Sequence, residues 1–332
     1  MLEKTILLSK GKLWIKSYYA LAAAKCYAVD TTFGHCLDVF ILRYMMNFHR
    51  FGSFSQNISM NLILVPTDLS PASQNATNYA AFLCKELQAK MMLLHVYMLP
   101  VPVSELPYVM VSADEIHLAS EKALEKEADR IFEMFGSKPE CLVRLGLPSD
   151  EIRDLEKERN IDLVIIGMKG AGGFDKLIGS TTVAVIRKCH KPVLVIPHQA
   201  SFTPVKLVSY ATDFSYQTNL KCFEPLKALL KRFNAKLLIV NVQKAGKVAT
   251  TPELAAKQRL EPLFQDIQHS YHIVEDNAIE HGLQRFVEEH SPAMLAMVAH
   301  KNNFLERIFG THHTKAMIYQ THIPLLILQD KD

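Results

Sequence analysis

The chain has 332 residues, of which 49% are hydrophobic and 21% charged, with a formal net charge of +3 at pH 7. That length asks for two or three domains, and the composition is that of a globular protein rather than a low-complexity one. The small positive excess is dispersed, leaving no basic tract for nucleic acid, and no run of about 18 uncharged apolar residues offers a membrane span.

Residues 1–59 differ in character from the rest. Their apolar stretches are interrupted by Lys10, Lys12 and Lys16, whereas a secretory signal needs an unbroken apolar core. Residues 36–46 have the composition of a short helix. The pattern changes at Met60, so Met60 is expected to be the natural start of the folded unit. Residues 1–59 are then an extension that is poorly ordered or not native to it. The six cysteines (26, 36, 84, 141, 189 and 222) fall in no CxxC or Cys/His ligand spacing. They read as reduced core residues of a cytoplasmic protein, without a zinc site or disulfide framework.

From residue 61 the order is regular. Residues 62–65 are a short buried strand that runs into Pro66-Thr67-Asp68-Leu69-Ser70-Pro71. Here Ser70 can cap a helix with Pro71 at its first position. Ala76, Tyr79, Ala80, Leu83, Cys84 and Leu87 recur at helical spacing and give that helix an inward face. Residues 91–96 are a second strand, 97–111 a proline-rich loop, 112–135 a long charged amphipathic helix and 141–145 a third strand. Ser149 is expected to cap a helix reaching about residue 159.

Residues 161–197 are the stretch on which the first half is organised. A β-branched run at 163–166 suits a strand covered on both faces. Glycines follow at 167, 170, 172 and 173, then Gly179-Ser180-Thr181 opens an apolar-periodic segment ending at Arg187 and Lys188. A second buried-strand run at 192–196 completes a βαβ crossover. A loop at the C-terminal end of a parallel strand lies where open α/β sheets bind ligands. Glycines allow close backbone approach, and a helix start bearing hydroxyls favours an anion. The structural alternative is a long turn with a simple helix cap.

After a linker at 199–204 the pattern restarts. Leu207 to Ser215 parallels Leu62 to Ser70, and 235–242 (AKLLIVNV) parallels 89–96 (AKMMLLHV). Residues 295–311 parallel the glycine-rich unit, and 322–328 (HIPLLIL) parallels 190–196 (HKPVLVI). Four matches in one order mean a tandem repeat at domain scale. The expected domains are 60–198 and 205–332, built as doubly wound α/β units.

On these residues the chain resembles the universal stress protein family. The carriers are the strand ending in Pro66-Thr67-Asp68, the strand ending in Leu94-His95-Val96, and Gly167-x2-Gly170-x8-Gly179-Ser180 followed by Lys191-Pro192-Val193-Leu194-Val195. The ATP-binding members of the family carry G-x2-G-x9-G-[S/T], so this loop is one residue shorter. The resemblance covers nearly all of residues 60–328 as two copies. It implies Rossmann-like domains, each a five-stranded parallel sheet of order 3-2-1-4-5 with helices on both faces. The copies would pair through their last strands into an intramolecular pseudo-dimer, covering apolar edges that would otherwise invite aggregation.

The resemblance also implies ATP, with or without magnesium, as the ligand. Asp68 and Val96 would lie at the adenine or ribose, with Pro66 and Thr67 beside them. Gly167 and Gly170 would line ribose and phosphates, and Gly179, Ser180 and Thr181 would donate to the phosphates. Lys169 could reach a phosphate or remain a solvated loop lysine. Asp68 could instead make only an Asx turn, and His95, a lone histidine at a strand end, reads as structural.

The second copy carries Ala299, His300, Lys301 and Asn302 in place of the first glycines, keeping only Gly310-Thr311. It is expected not to take ATP in the family's manner. His312 and His313 are adjacent and project from different sides of a helix, which disfavours a metal site. There is no GxxxxGK[ST] motif and no cluster of acidic magnesium ligands, so an enzyme is less favoured than a nucleotide-binding stress or signalling module. A nucleotide-free scaffold working through an unidentified protein partner is the second reading, and a slow ATPase the third.

Overall fold

The computed structural model describes residues 60–99, 112–168, 179–214, 218–246, 251–300 and 323–330, all within one unit, Ile58–Asp332. The expectations for residues 1–59 lie outside the described residues. In the first half the elements are β1 (Leu62–Pro66), α1 (Pro71–Leu87), β2 (Lys90–Tyr97), α2 (Ala113–Phe135) and β3 (Glu140–Leu145). They continue with α3 (Pro148–Glu158), β4 (Leu163–Gly167), α4 (Ser180–Lys188) and β5 (Val193–Ile196). The second half holds β6 (Leu207–Ala211), a 3-10 turn at Leu220–Phe223, α5 (Glu224–Phe233), β7 (Lys236–Gln243) and α6 (Thr251–Leu263). Then come β8 (His269–Glu275), α7 (Ile279–His290), β9 (Met294–His300) and β10 (Leu325–Asp330).

All ten strands form one sheet of order β3-β2-β1-β4-β5-β10-β9-β6-β7-β8. Each half is parallel and has the order 3-2-1-4-5, as the resemblance implied. The halves meet where β5 and β10 pair antiparallel, with Val195 opposite Leu325, Leu194 opposite Leu326 and Val193 opposite Ile327. Both strands are buried and apolar throughout that pairing. Each therefore satisfies its backbone on the other, and neither presents an open edge.

Alternation along the strands builds two cores, one per face of the sheet. Ile63 and Val65 point to the face covered by α1 and α2, where they join Tyr79, Leu83, Leu124 and Ile131. Leu64 points to the other face, with Ile152 and Leu155 of α3 and Val185 and Ile186 of α4. Both cores run through the seam. Leu194, Ile196, Leu326 and Leu328 fill one side, and Val193, Val195, Leu325 and Ile327 the other. The linker is also docked. The Asn75 side-chain amide donates to the carbonyl oxygens of Pro197 and Ala200, both at 3.0 Å. The Phe202 ring packs against Tyr79 and stacks on Phe82, with centroids 5.3 and 5.7 Å apart.

Of the two expected caps, Ser70 and Ser149, one holds, and a further one is found at Ser112. Ser70 caps α1 by accepting from the Ser73 amide, and Ser112 forms a capping box with Glu115 at the start of α2. Ser149 does not cap α3. That helix begins two residues earlier than a Ser149 cap would place it, at Pro148, with Leu147 at the cap and no side-chain cap bond. Proline is suited to a first helical position because its φ is preset and no amide is lost there, so Pro148 moves the start ahead of the serine. In the second half the counterpart of α1 is split into the 3-10 turn and the short α5.

Candidate functional site

The two halves repeat the same loop chemistry at the ends of β1 and β6. The Thr67 amide donates to the Leu94 carbonyl at 2.9 Å, and the Thr212 amide to that of Val240 at 3.0 Å. The amide two residues on, Leu69 or Phe214, donates to the threonine hydroxyl at 3.0 or 3.1 Å. Leu69 and Phe214 both adopt left-handed φ, at 61° and 57°, a strained conformation for a non-glycine residue that the surrounding bonds must hold. The match extends the tandem repeat from sequence to hydrogen bonds.

In the first half this loop forms one wall of the expected site. Pro66 is buried at the end of β1, and Thr67 is 6% exposed. The Thr67 hydroxyl donates to Ser73 Oγ at 3.0 Å while accepting from Leu69. Its polar side chain is thus spent on the loop, so Thr67 shapes the wall. Asp68 is exposed, and its Oδ1 accepts from the Ser70 amide at 3.1 Å and the Ser70 hydroxyl at 2.6 Å. The Asx turn is therefore present, and it fixes the carboxyl group at the C-terminal edge of the sheet. His95 Nδ1 lies 2.9 Å from the Thr67 carbonyl oxygen. Because a carbonyl only accepts, Nδ1 carries the proton, and His95 has the structural role expected of it. Val96, next along β2, is half-buried.

The second wall is the β4–α4 connection. Gly167 ends β4 and is buried. The Met168 amide donates to the Ile196 carbonyl at 2.8 Å, and the Met168 carbonyl accepts from the Gly179 amide at 2.8 Å. The chain thus leaves β4 at 168 and returns to the same point at 179. Gly179 is the N-cap of α4, without a side-chain cap bond, and Ser180 and Thr181 are exposed in the first turn. No acidic residue stands in that turn, whereas Arg187 and Lys188 occupy the last one. Within the helix itself no acidic side chain offsets the N-terminal positive pole, while the C-terminal pole is complemented, an arrangement that favours an anion by about 0.3–1 kcal/mol. Lys169 and Gly170 lie outside the described residues, as does most of the counterpart segment from 301 onward.

Sequence reasoning missed Thr182. Its side chain is 2% exposed, and its hydroxyl donates to the Gly167 carbonyl at 2.9 Å and approaches that of Met168 at 3.5 Å. A hydroxyl on the inward side of an apolar-periodic helix was the available signal.

β1 and β4 are parallel neighbours, Ile63 opposite Leu163 and Leu64 opposite Val164. The chain passes from β1 to β2 on one side of this pair and from β4 to β5 on the other, so the strand order reverses here. Asp68 and the start of α4 therefore flank the switch point of the sheet, the usual ligand crevice of a doubly wound fold. Among the described residues no group of three or more His, Cys, Asp or Glu could hold a metal, and no helix is long and apolar enough to cross a membrane. Burial pushes the Cys84 thiol up to about 12 and the Cys141 thiol up to about 11, so neither supplies a nucleophile at neutral pH.

A family model described as the Universal stress protein family matches residues 60–197. Universal stress protein MJ0531 of Methanocaldococcus jannaschii is 32% identical over 142 residues, covering 40% of this chain and 80% of the relative. Universal stress protein YxiE of Bacillus subtilis is 29% identical over 146 residues, covering 41% of this chain and 98% of the relative. A universal stress protein from Archaeoglobus fulgidus has a solved structure that superposes with a TM-score of 0.63 at 22% identity, covering 82% of this chain and all (100%) of that one. The fold is thus shared across both halves, and the family model matches the first. The chain belongs to the universal stress protein family.

Proposed function

We propose that this protein is a nucleotide-binding module of stress response or signalling that takes ATP in its first half alone. The observation that carries it is an exposed carboxylate, Asp68, and a helix start with no side-chain cap bond and no acidic residue in its first turn, Gly179–Thr181, on either side of the strand-order reversal between β1 and β4. Asp68 and Val96 would hold the nucleoside, with Pro66 and Thr67 as wall. Gly167, Lys169, Gly170 and the first turn of α4 would hold the phosphates, with or without magnesium. Backbone amides aimed at an anion need no further charge to bind it. Bound ATP would act by shifting conformation or affinity for a protein partner, a reading supported by the lack, among the described residues, of a His, Cys, Asp and Glu group that could hold a metal for turnover.

A second reading, a nucleotide-independent scaffold, is favoured by the glycine spacing one residue short of the family pattern and by the substituted second copy. Equilibrium titration of ATP against the wild-type chain and Gly170→Val separates the two. Binding by the wild type that Gly170→Val abolishes supports the nucleotide reading. A wild type that binds no ATP at millimolar concentration overturns it in favour of the scaffold.

A further inference from the structure

Thr182 stands apart from the other hydroxyls near the start of α4. Ser180 and Thr181 are exposed, whereas Thr182 is 2% exposed and its Oγ1–H bonds the last carbonyl of β4 at 2.9 Å. Together with the Gly179 amide on the Met168 carbonyl, this makes two ties between the end of β4 and the first turn of α4. The packing of Val185 and Ile186 in the core holds the body of the helix, and the two ties act at its start. One turn apart, they fix the position of that start. The tandem copy supplies an internal comparison. By the Gly179/Gly310 alignment, Thr182 corresponds to His313 in the half that has lost its glycines, so the β-hydroxyl is not repeated there.

We propose that Thr182 is the positioning residue of the phosphate end of the nucleotide site: its buried hydroxyl ties the first turn of α4 to the Gly167 carbonyl and so aims the exposed donors of Ser180 and Thr181 at the crevice. This rests on the nucleotide reading above. Thr182 does not touch the ligand. It acts through the helix it holds, so its removal should affect phosphate recognition and leave nucleoside recognition alone. A purely structural threonine would affect both together or neither.

The test is calorimetric titration of the full chain with ATP and, separately, with adenosine, using wild type, Thr182→Val and Thr182→Ser, with a thermal midpoint for each. Valine keeps the shape and loses the bond, and one buried hydrogen bond corresponds to roughly tenfold in affinity. The expected result is ATP affinity down about tenfold in Thr182→Val, adenosine affinity unchanged, and both restored to wild type in Thr182→Ser. If Thr182→Val does not fold, Thr182→Cys replaces it, its weaker thiol donor giving an intermediate loss for ATP alone. Equal losses for ATP and adenosine, or no loss in the variant that folds, would overturn the positioning role while leaving the nucleotide reading intact. A wild type that binds neither ligand overturns both.

Discussion

His95 and Asn241 do the same work in the two halves with different side chains. His95 Nδ1 bonds the Thr67 carbonyl at 2.9 Å, and Asn241 Nδ2 donates to the Thr212 carbonyl at 2.8 Å. Each stands near the end of the second strand of its half and pins the loop that follows the first. The pinned loops carry the two left-handed residues Leu69 and Phe214, so the bond offsets local backbone strain. What the position demands is a side-chain N–H one short reach from the strand, not an imidazole.

It follows that His95→Asn should be nearly silent, with a thermal midpoint within a degree or two of wild type. His95→Leu removes the donor and should cost about 1–2 kcal/mol. Chemical denaturation of the three proteins checks this. A large loss in His95→Asn would mean that the imidazole has a second task.

The strands and the repeat were legible in β-branched runs, glycines and a motif occurring twice, whereas the strand order was implied only by the family resemblance. The shape of the site was less so. His95 and Asn241 look unrelated as residue types, and their equivalence appears only when each is found donating to a loop carbonyl. Among Ser180, Thr181 and Thr182, three similar hydroxyls in a row, only burial separates the two that face out from the one that holds the helix. Ser149 misled because a serine before an apolar helical face usually marks a cap, and here Pro148 had already taken the first helical position. Within the glycine segment the residue types announce a use, while the partners that hold Gly167 and Gly179, Thr182 and Met168, are not specified by the motif.

The seam between the halves should behave as core rather than as a dimer interface. Leu194 and Leu326 face one another in register and are each fully buried. Leu326→Ala should cost about 2–5 kcal/mol, the usual range for a large-to-small change in a packed core. Because the partners are in one chain, the urea midpoint should not move with protein concentration. A midpoint that rises with concentration would mean that the two halves pair between chains.

Glu156 braces the far end of α4. Its side chain is 4% exposed, and its carboxylate accepts from the backbone amides of His190 and Lys191, both at 3.0 Å, and from the Cys189 thiol. These three donors form the turn from α4 into β5. Glu156→Ala removes the acceptor of one exposed and one part-buried amide and should cost about 1–2 kcal/mol. Amide exchange at 189–191 should speed up selectively. Unchanged exchange there would show that the turn is held by packing alone.

The outer edge of the second half should weaken in acid. On β8 the His272 ring packs against Phe286 and His290 of α7, each at 5.3 Å between centroids, and His272 Nε2 lies 2.9 Å from Ser270 Oγ. Burial first, then the neighbouring His290 and the Lys236 ammonium on β7, hold the His272 pKa below its ordinary 6.5. The folded protein therefore takes up this proton less readily than the unfolded chain. Stability from this group is complete above about pH 6.5, where neither state is protonated. It declines as pH falls below that value, because the unfolded chain is protonated first, and the decline stops once the folded pKa is passed. The ring is partly exposed, so solvent screening keeps the effect below that of a fully buried histidine. Thermal midpoints measured from pH 8 to pH 5 should fall less steeply in His272→Phe than in wild type. Parallel slopes in the two proteins would remove His272 as a source of acid sensitivity.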